Sequence, residues 1–104
     1  MLKQLNDANF HDEVRETTEP VVVMYSGSWC EPCKKLKPDF EFLADQLTSV
    51  KFMTADVEEN AQSAQDLGIR SVPSFALFLD GMVHDVNPSV ANKADLRQWI
   101  NDNS

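Results

Sequence analysis

Val21-Val22-Val23-Met24-Tyr25-Ser26-Gly27-Ser28-Trp29-Cys30-Glu31-Pro32-Cys33 is the stretch that decides how this chain is built. Its first five residues form a continuous apolar run rich in β-branched side chains. The run is too short for a helix and apolar on both faces, as a strand in the middle of a sheet would be. Ser26-Gly27-Ser28 reads as a turn. From Pro32 onward Leu36, Phe40, Leu43 and Leu47 recur at helical spacing, which predicts an amphipathic helix ending near Gln46 or Leu47. Pro38 falls inside it without the N–H that would pair with residue 34, so a kink is expected rather than two separate helices. A strand, a turn and a helix therefore meet at the two cysteines.

Upstream, Asn6 and Asp7 offer an N-cap, and Phe10 with Val14 makes an i, i+4 apolar pair, so a short helix is predicted over residues 7–17, stopped by Pro20. Downstream, Lys51 to Val57 reads as a second strand. Asn60 can cap a short helix carrying Ala64 and Leu67, with Gly68 at its C-terminal end. Ser71-Val72-Pro73-Ser74 leads into Phe75-Ala76-Leu77-Phe78-Leu79, another strand buried on both faces. Asp80-Gly81 is the favoured dipeptide of a tight hairpin, so Met82 to Val86 should pair antiparallel with that strand. His84 and Asp85 mark it as an edge. Asn92 can cap a final helix presenting Leu96, Trp99 and Ile100. The pieces make a βαβ unit followed by an antiparallel addition, hence an α/β fold with a mixed sheet covered by helices on both faces. Trp99 and the phenylalanines are assigned to the core, and His11 and His84 to the surface.

At 104 residues the chain has room for one core, so residues 1–104 are read as a single domain. Hydrophobic residues at 42% and charged residues at 25% argue against disorder. Seventeen acids against nine bases leave a formal charge of -8, and no basic cluster exceeds Lys34, Lys35 and Lys37, which disfavours nucleic acid as a partner. So acidic a domain is expected to be a monomer. No stretch approaches the roughly 18 apolar residues of a membrane span. The start, Met1-Leu2-Lys3-Gln4-Leu5-Asn6-Asp7, has no apolar leader core, so a cytoplasmic location is expected.

Only two cysteines are present, three residues apart. Closing so small a loop removes little entropy from the unfolded chain, so a purely structural bridge would stabilise weakly. A chemical role fits better. Positions i and i+3 of a helix hold Cβ atoms roughly 5–6 Å apart, close enough for a bridge to form and break without unfolding anything. Cys30, at the helix start, faces free backbone N–H groups and the positive end of the helix dipole, both of which favour a thiolate. Thiols in such settings have pKa values lowered to roughly 3.5–7.5, a range that already includes Cys-X-X-Cys proteins. Cys33, one turn further in, is the natural resolving thiol, and Pro32 fits the first turn, where its missing N–H costs nothing. The reaction this supports is thiol–disulfide exchange. Zinc would need two further ligands, and His11 and His84 follow no metal-ligand spacing, so neither metal nor cofactor is expected. A pair of inert buried cysteines is the other alternative.

Trp29-Cys30-Glu31-Pro32-Cys33-Lys34 followed by Pro38, then Gly68-Ile69-Arg70-Ser71-Val72-Pro73, then the Asp80-Gly81 hairpin, resemble the thioredoxin family from end to end of the chain. The resemblance implies a thioredoxin fold with a five-stranded mixed sheet in the order β1-β3-β2-β4-β5, four flanking helices and a cis peptide at Val72-Pro73. It implies that Cys30 is the nucleophile and Cys33 the resolving cysteine, and that Trp29, Val72 and Pro73 form the apolar surface that docks substrate. It also implies a separate reductase, a flavoprotein using NADPH, as electron donor.

Several residues depart from the family pattern and are expected to modulate the site. Glu31 stands where glycine is usual. Placed roughly 6–8 Å from the Cys30 sulfur and largely in water, its charge is worth under about 1 kcal/mol. Lys34 and Lys35 oppose it, and the net effect is a disulfide slightly harder to reduce. Met24 occupies the place of the family's buried aspartate, and Thr54 that of its lysine partner. Methionine accepts no proton, and the sequence places no other carboxylate beneath Cys33, so Cys33 is expected to rely on water and to release the mixed disulfide slowly. Ser26 replaces a common tryptophan and Ser89 a glycine of the docking loop. The reading is a dithiol–disulfide oxidoreductase that reduces protein disulfides. The alternative is a protein-interaction module of the same fold with secondary redox activity; a disulfide oxidase or isomerase is disfavoured by Glu31 and the missing export signal.

Overall fold

The computed structural model describes residues 2–104. Five strands form one sheet: β1 (Lys3–Leu5), β2 (Val21–Ser26), β3 (Lys51–Asp56), β4 (Ser74–Leu79) and β5 (Met82–Asn87), in the order β1-β3-β2-β4-β5. β3 pairs in parallel with both β1 and β2, while β4 runs antiparallel to β2 and to β5. Three α-helices, α1 (Glu31–Gln46), α2 (Ala61–Asp66) and α3 (Lys93–Asn103), are joined by one wide helical turn at His11–Arg15. The α/β class, the mixed sheet and the strand order are those the resemblance implied.

Alternation along the strands divides the core into two layers. Val22, Met24, Phe52, Phe75 and Leu77 pack with Leu36, Phe40 and Leu43 of α1 and with Leu96, Trp99 and Ile100 of α3. Val21, Val23, Tyr25, Met53, Ala55, Ala76 and Phe78 face the opposite way, against Val14 and Ala64. β2 and β4 are therefore buried on both faces, as their unbroken apolar runs required. Both cysteines belong to the first layer, so the redox pair is anchored in the core.

Three expectations need correction, and one strand that the resemblance implied could not be read locally. The helix predicted over residues 7–17 shrinks to His11–Arg15, closed by an i→i+5 bond from Glu16 N–H to His11 O. Asn6 still caps its approach: its Oδ1 accepts from Asn9 N–H at 2.9 Å, and Asn9 Oδ1 accepts from Asn6 N–H. β1 was not legible as a strand, because only Leu5 of its three residues is buried and pairing with β3 alone holds it extended. Asn60 precedes α2 but caps nothing with its side chain; fully buried, it donates through Nδ2 to Leu5 O and Asp56 O. Phe42, assigned to the core, is exposed on the outer side of α1, with the Lys93 ammonium 4.3 Å from its ring centroid.

The other turn signals hold. Pro38 lies inside one continuous helix. Gly68 follows α2 with a positive φ of 71°. Asp80 and Gly81, at φ 53° and 79°, turn β4 into β5, the edge strand. Gly81 is required twice over, since a Cβ there would also strike the Arg15 carbonyl. Asn92 caps α3 by accepting from Asp95 N–H at 2.9 Å.

Candidate active site

β2 ends at Ser26, the turn closes with Cys30 N–H donating to Gly27 O, and α1 begins at Glu31. Cys30 is the N-cap residue, with extended backbone (φ -88°, ψ 105°). Its sulfur accepts from the Cys33 N–H at 3.2 Å, so one otherwise unpaired donor of the first helical turn points at Sγ. Pro32 sits beside it in that turn, where no N–H is needed. Cys30 and Cys33 are joined as a disulfide with their Cα atoms 5.3 Å apart, within ordinary bridging range. Both are buried, at 5% and 3% exposure, so Cys33 is only marginally deeper than its neighbour.

Around the pair the surface is apolar above and charged to one side. Trp29 is 60% exposed, its ring lying against Gly27, where an added Cβ would come within 2.5 Å of Cη2. The Val72-Pro73 peptide is cis, and Val72 packs against the core layer that holds both cysteines. Two shallow grooves meet at Ser71 and Val72: one is lined by Trp29, Ile69 and Arg70, the other by Pro32, Pro73 and Val90. The residues singled out for docking are thus brought together. Glu31 and Lys34 form an exposed ion pair at 3.2 Å, so the carboxylate that replaces glycine carries its own counter-charge. Ser89 does not adopt positive φ; its N–H donates to Asn87 Oδ1, which gives the loop a local cap in place of glycine.

Below the pair, Met24 is 1% exposed and stands opposite Thr54 in the parallel β2–β3 register. They line a cleft of about 260 Å³ together with Cys33, Lys34, Lys37, Ser26, Asp56 and Glu59, among others. The sequence alone placed no carboxylate near Cys33; the fold brings Asp56 and Glu59 into the lining of the same cleft. Two residues past Thr54, Asp56 is on the same face of β3, and Lys37 is one helical turn beyond Cys33. Both follow from periodicity once the register Ser26↔Asp56 is known. His11 and His84 are exposed and line neither the cleft nor the two grooves, and His11 pairs with Glu16 at 3.2 Å. Among the described residues, no group of three or more His, Cys, Asp or Glu could hold a metal ion, and no helix is long and apolar enough to cross a membrane.

The arrangement can carry one electron pair, held by the two thiols and given up when the disulfide forms. Comparison with known proteins agrees with that chemistry. The family model described as thioredoxin matches residues 1–102. A thioredoxin of Rickettsia bellii is 35% identical over 104 residues, covering 99% of each chain. Thioredoxin Asp f 29 of Aspergillus fumigatus is 37% identical over 83 residues, 77% of this chain and 76% of that one. A chain from a structural study of thiol resolution in yeast mitochondrial 1-Cys peroxiredoxin via glutathione/thioredoxin systems superposes with a TM-score of 0.86. It is 25% identical and the match covers 97% of this chain and 94% of that one.

Proposed function

This chain belongs to the thioredoxin family and is a dithiol–disulfide oxidoreductase that reduces protein disulfides, and we propose from that premise how its residues divide the work. Cys30 is the attacking sulfur. As a thiolate at the helix N-cap it displaces one sulfur of a substrate disulfide, forming a Cys30–substrate mixed disulfide and freeing one substrate thiolate. Cys33 then attacks the Cys30 sulfur, the second substrate thiolate leaves, and the Cys30–Cys33 bridge forms. Two electrons and two protons have passed to the substrate. The observation that carries this assignment is the Cys33 N–H directed at Cys30 Sγ, a contact that strengthens when the sulfur is an anion.

Trp29, Val72 and Pro73 form the docking face, with the grooves on either side of Val72 accepting an extended segment of a disulfide-containing protein. Glu31, Pro32, Lys34 and Met24 adjust the pair: Pro32 by shaping the first turn, the Glu31–Lys34 ion pair by nearly cancelling its own field at Cys30, and Met24 by removing a buried base. Residues 1–104 act as one domain and as a monomer in the cytoplasm, and a separate flavoprotein reductase returns the electron pair.

Two cysteine variants test the assignment. Cys33→Ser should accumulate a mixed disulfide with substrate, visible as a covalent adduct, whereas Cys30→Ser should form none. An adduct on Cys33 in the Cys30→Ser protein, at a rate matching Cys30 in the native chain, would reverse the roles. The double variant separates catalysis from mere docking, since a protein that acted only as an interaction module would keep its function without either sulfur.

A further inference from the structure

We propose that Asp56, acting through water in the cleft beneath Cys33, is the acceptor for the proton that the resolving thiol must lose. The inference rests on the reading of Cys33 as the resolving sulfur. Cys33 is nearly out of solvent, and Met24 of β2, which shares its core layer and its cleft, accepts no proton. A buried thiol with no path for its proton would leave the mixed disulfide standing. The cleft offers a path. Cys33 and Asp56 both line it, and so do Ser26, Ser28 and Thr54, whose hydroxyl groups can hold water there.

Asp56 rather than Glu59 is the better-placed carboxylate of the two. It ends β3 in register with Ser26 and is half-buried, while Glu59 lies beyond the strand and is exposed. Its Oδ1 accepts from Glu58 N–H at 2.8 Å, which restrains the carboxylate and leaves Oδ2 outside that bond. Its main chain is pinned as well: the buried Asn60 amide donates to Asp56 O at 2.8 Å and to Leu5 O at 2.9 Å, tying together two residues of the cleft wall. The other charged groups facing the cleft are Lys34, Lys37 and Glu59. The two ammonium groups offset the repulsion between the carboxylates and the thiolate that forms on Cys33.

The step balances. The Cys33 S–H bond breaks, its proton passes along cleft water to Asp56, and the Cys33 sulfur electron pair forms the S–S bond to Cys30 as the Cys30–substrate S–S bond breaks. The departing substrate thiolate, or bulk water, takes the proton from Asp56 and restores the carboxylate.

Ellman's reagent, an aromatic disulfide, separates the two halves of the reaction in one stopped-flow trace. Reduced protein releases one coloured thiolate when Cys30 attacks and a second when Cys33 resolves, and this leaving group needs no proton. Asp56→Asn should slow the second release about tenfold at neutral pH, less than the hundredfold of a directly positioned base because water intervenes. The first release should stay within twofold, and the deficit should fade as pH rises past the thiol range near about 8.5, where Cys33 ionises unaided. Asp56→Glu should restore much of the rate, and a merely structural effect would give neither the pH dependence nor the rescue. An unchanged or faster second release in Asp56→Asn would overturn the proposal, since a carboxylate acting only by repulsion slows resolution. So would a deficit found in Glu59→Gln instead. Absence of the first release in the native protein would instead refute the underlying roles of Cys30 and Cys33.

Discussion

Replacing Met24 with aspartate puts a carboxyl back on β2 beneath the redox pair, and its consequences can be worked from the burial of the site. Met24 is 1% exposed and packed in the layer that holds Cys30, Cys33 and Phe75. Removing most of a buried methionine costs about 2–5 kcal/mol. The new carboxyl meets Thr54 and the cleft, with Lys37 on its wall, so it is partly solvated and adds less than a sealed charge would. A net loss of about 3 kcal/mol is expected, which for a domain of this size lowers Tm by roughly 12–24 °C. Burial raises the pKa of the new carboxyl above its unfolded value of about 3.9, so its neutral form is the one the fold tolerates. The variant should therefore lie nearest the native protein below about pH 4 and fall progressively behind as pH rises through the folded pKa. Denaturant unfolding at acid and at slightly alkaline pH measures that difference. At neutral pH the same carboxylate stands directly under Cys33, so reduction of a protein disulfide should speed up while stability drops. Equal stability with unchanged turnover would refute the view that Met24→Asp trades core packing against proton transfer.

Three other perturbations have definite signs. Glu31→Gln removes a charge that Lys34 already balances, so the midpoint potential of the pair should rise by less than about 20 mV in glutathione equilibration, and a larger shift would mean that Glu31 acts on Cys30 directly. Glu13 accepts from Lys3 and Lys51, and those hydrogen bonds hold its pKa below the ordinary value. Its stabilisation is present above the unfolded pKa of about 4.3 and lost as pH falls through the lower folded value, so Glu13→Gln should flatten the acid limb of the stability profile measured by urea unfolding. Burial, opposed by its hydrogen bond to Ser63, raises the Tyr25 hydroxyl above its usual range. That contribution is present below about pH 10 and lost as pH rises through the folded pKa, so Tyr25→Phe should unfold less readily in strong alkali than the native chain does relative to its own neutral stability.

What the sequence disclosed and what it hid divide along a physical line. Val21 to Tyr25 and Phe75 to Leu79 were legible because a strand buried on both faces must be apolar throughout. The Asp80-Gly81 turn was legible because few residues accept positive φ. Cys30 and Cys33 were legible because a helix start and a three-residue spacing are local facts. β1 was hidden because its extended backbone depends on β3, fifty residues away, and not on its own side chains. Asn60 looked like a cap from its neighbours, yet its amide is taken by Leu5 and Asp56 across the sheet end. Phe42 was misjudged because apolar character alone does not say which side of α1 a residue faces. Asp56 was missed for the same reason as β1: its place in the cleft that Cys33 lines depends on the parallel register Ser26↔Asp56, which no local pattern encodes.

The account stands on Cys30 being an anion held by the main-chain N–H of Cys33 at the start of α1. Iodoacetamide alkylation of the reduced protein across mildly acidic buffer, read residue by residue with mass spectrometry, measures this most directly. Cys30 should be modified far faster than free glutathione at the same pH, with a rate that levels off below the ordinary thiol range near about 8.5, while Cys33 stays protected. Alkylation of Cys30 no faster than glutathione throughout that range would contradict it.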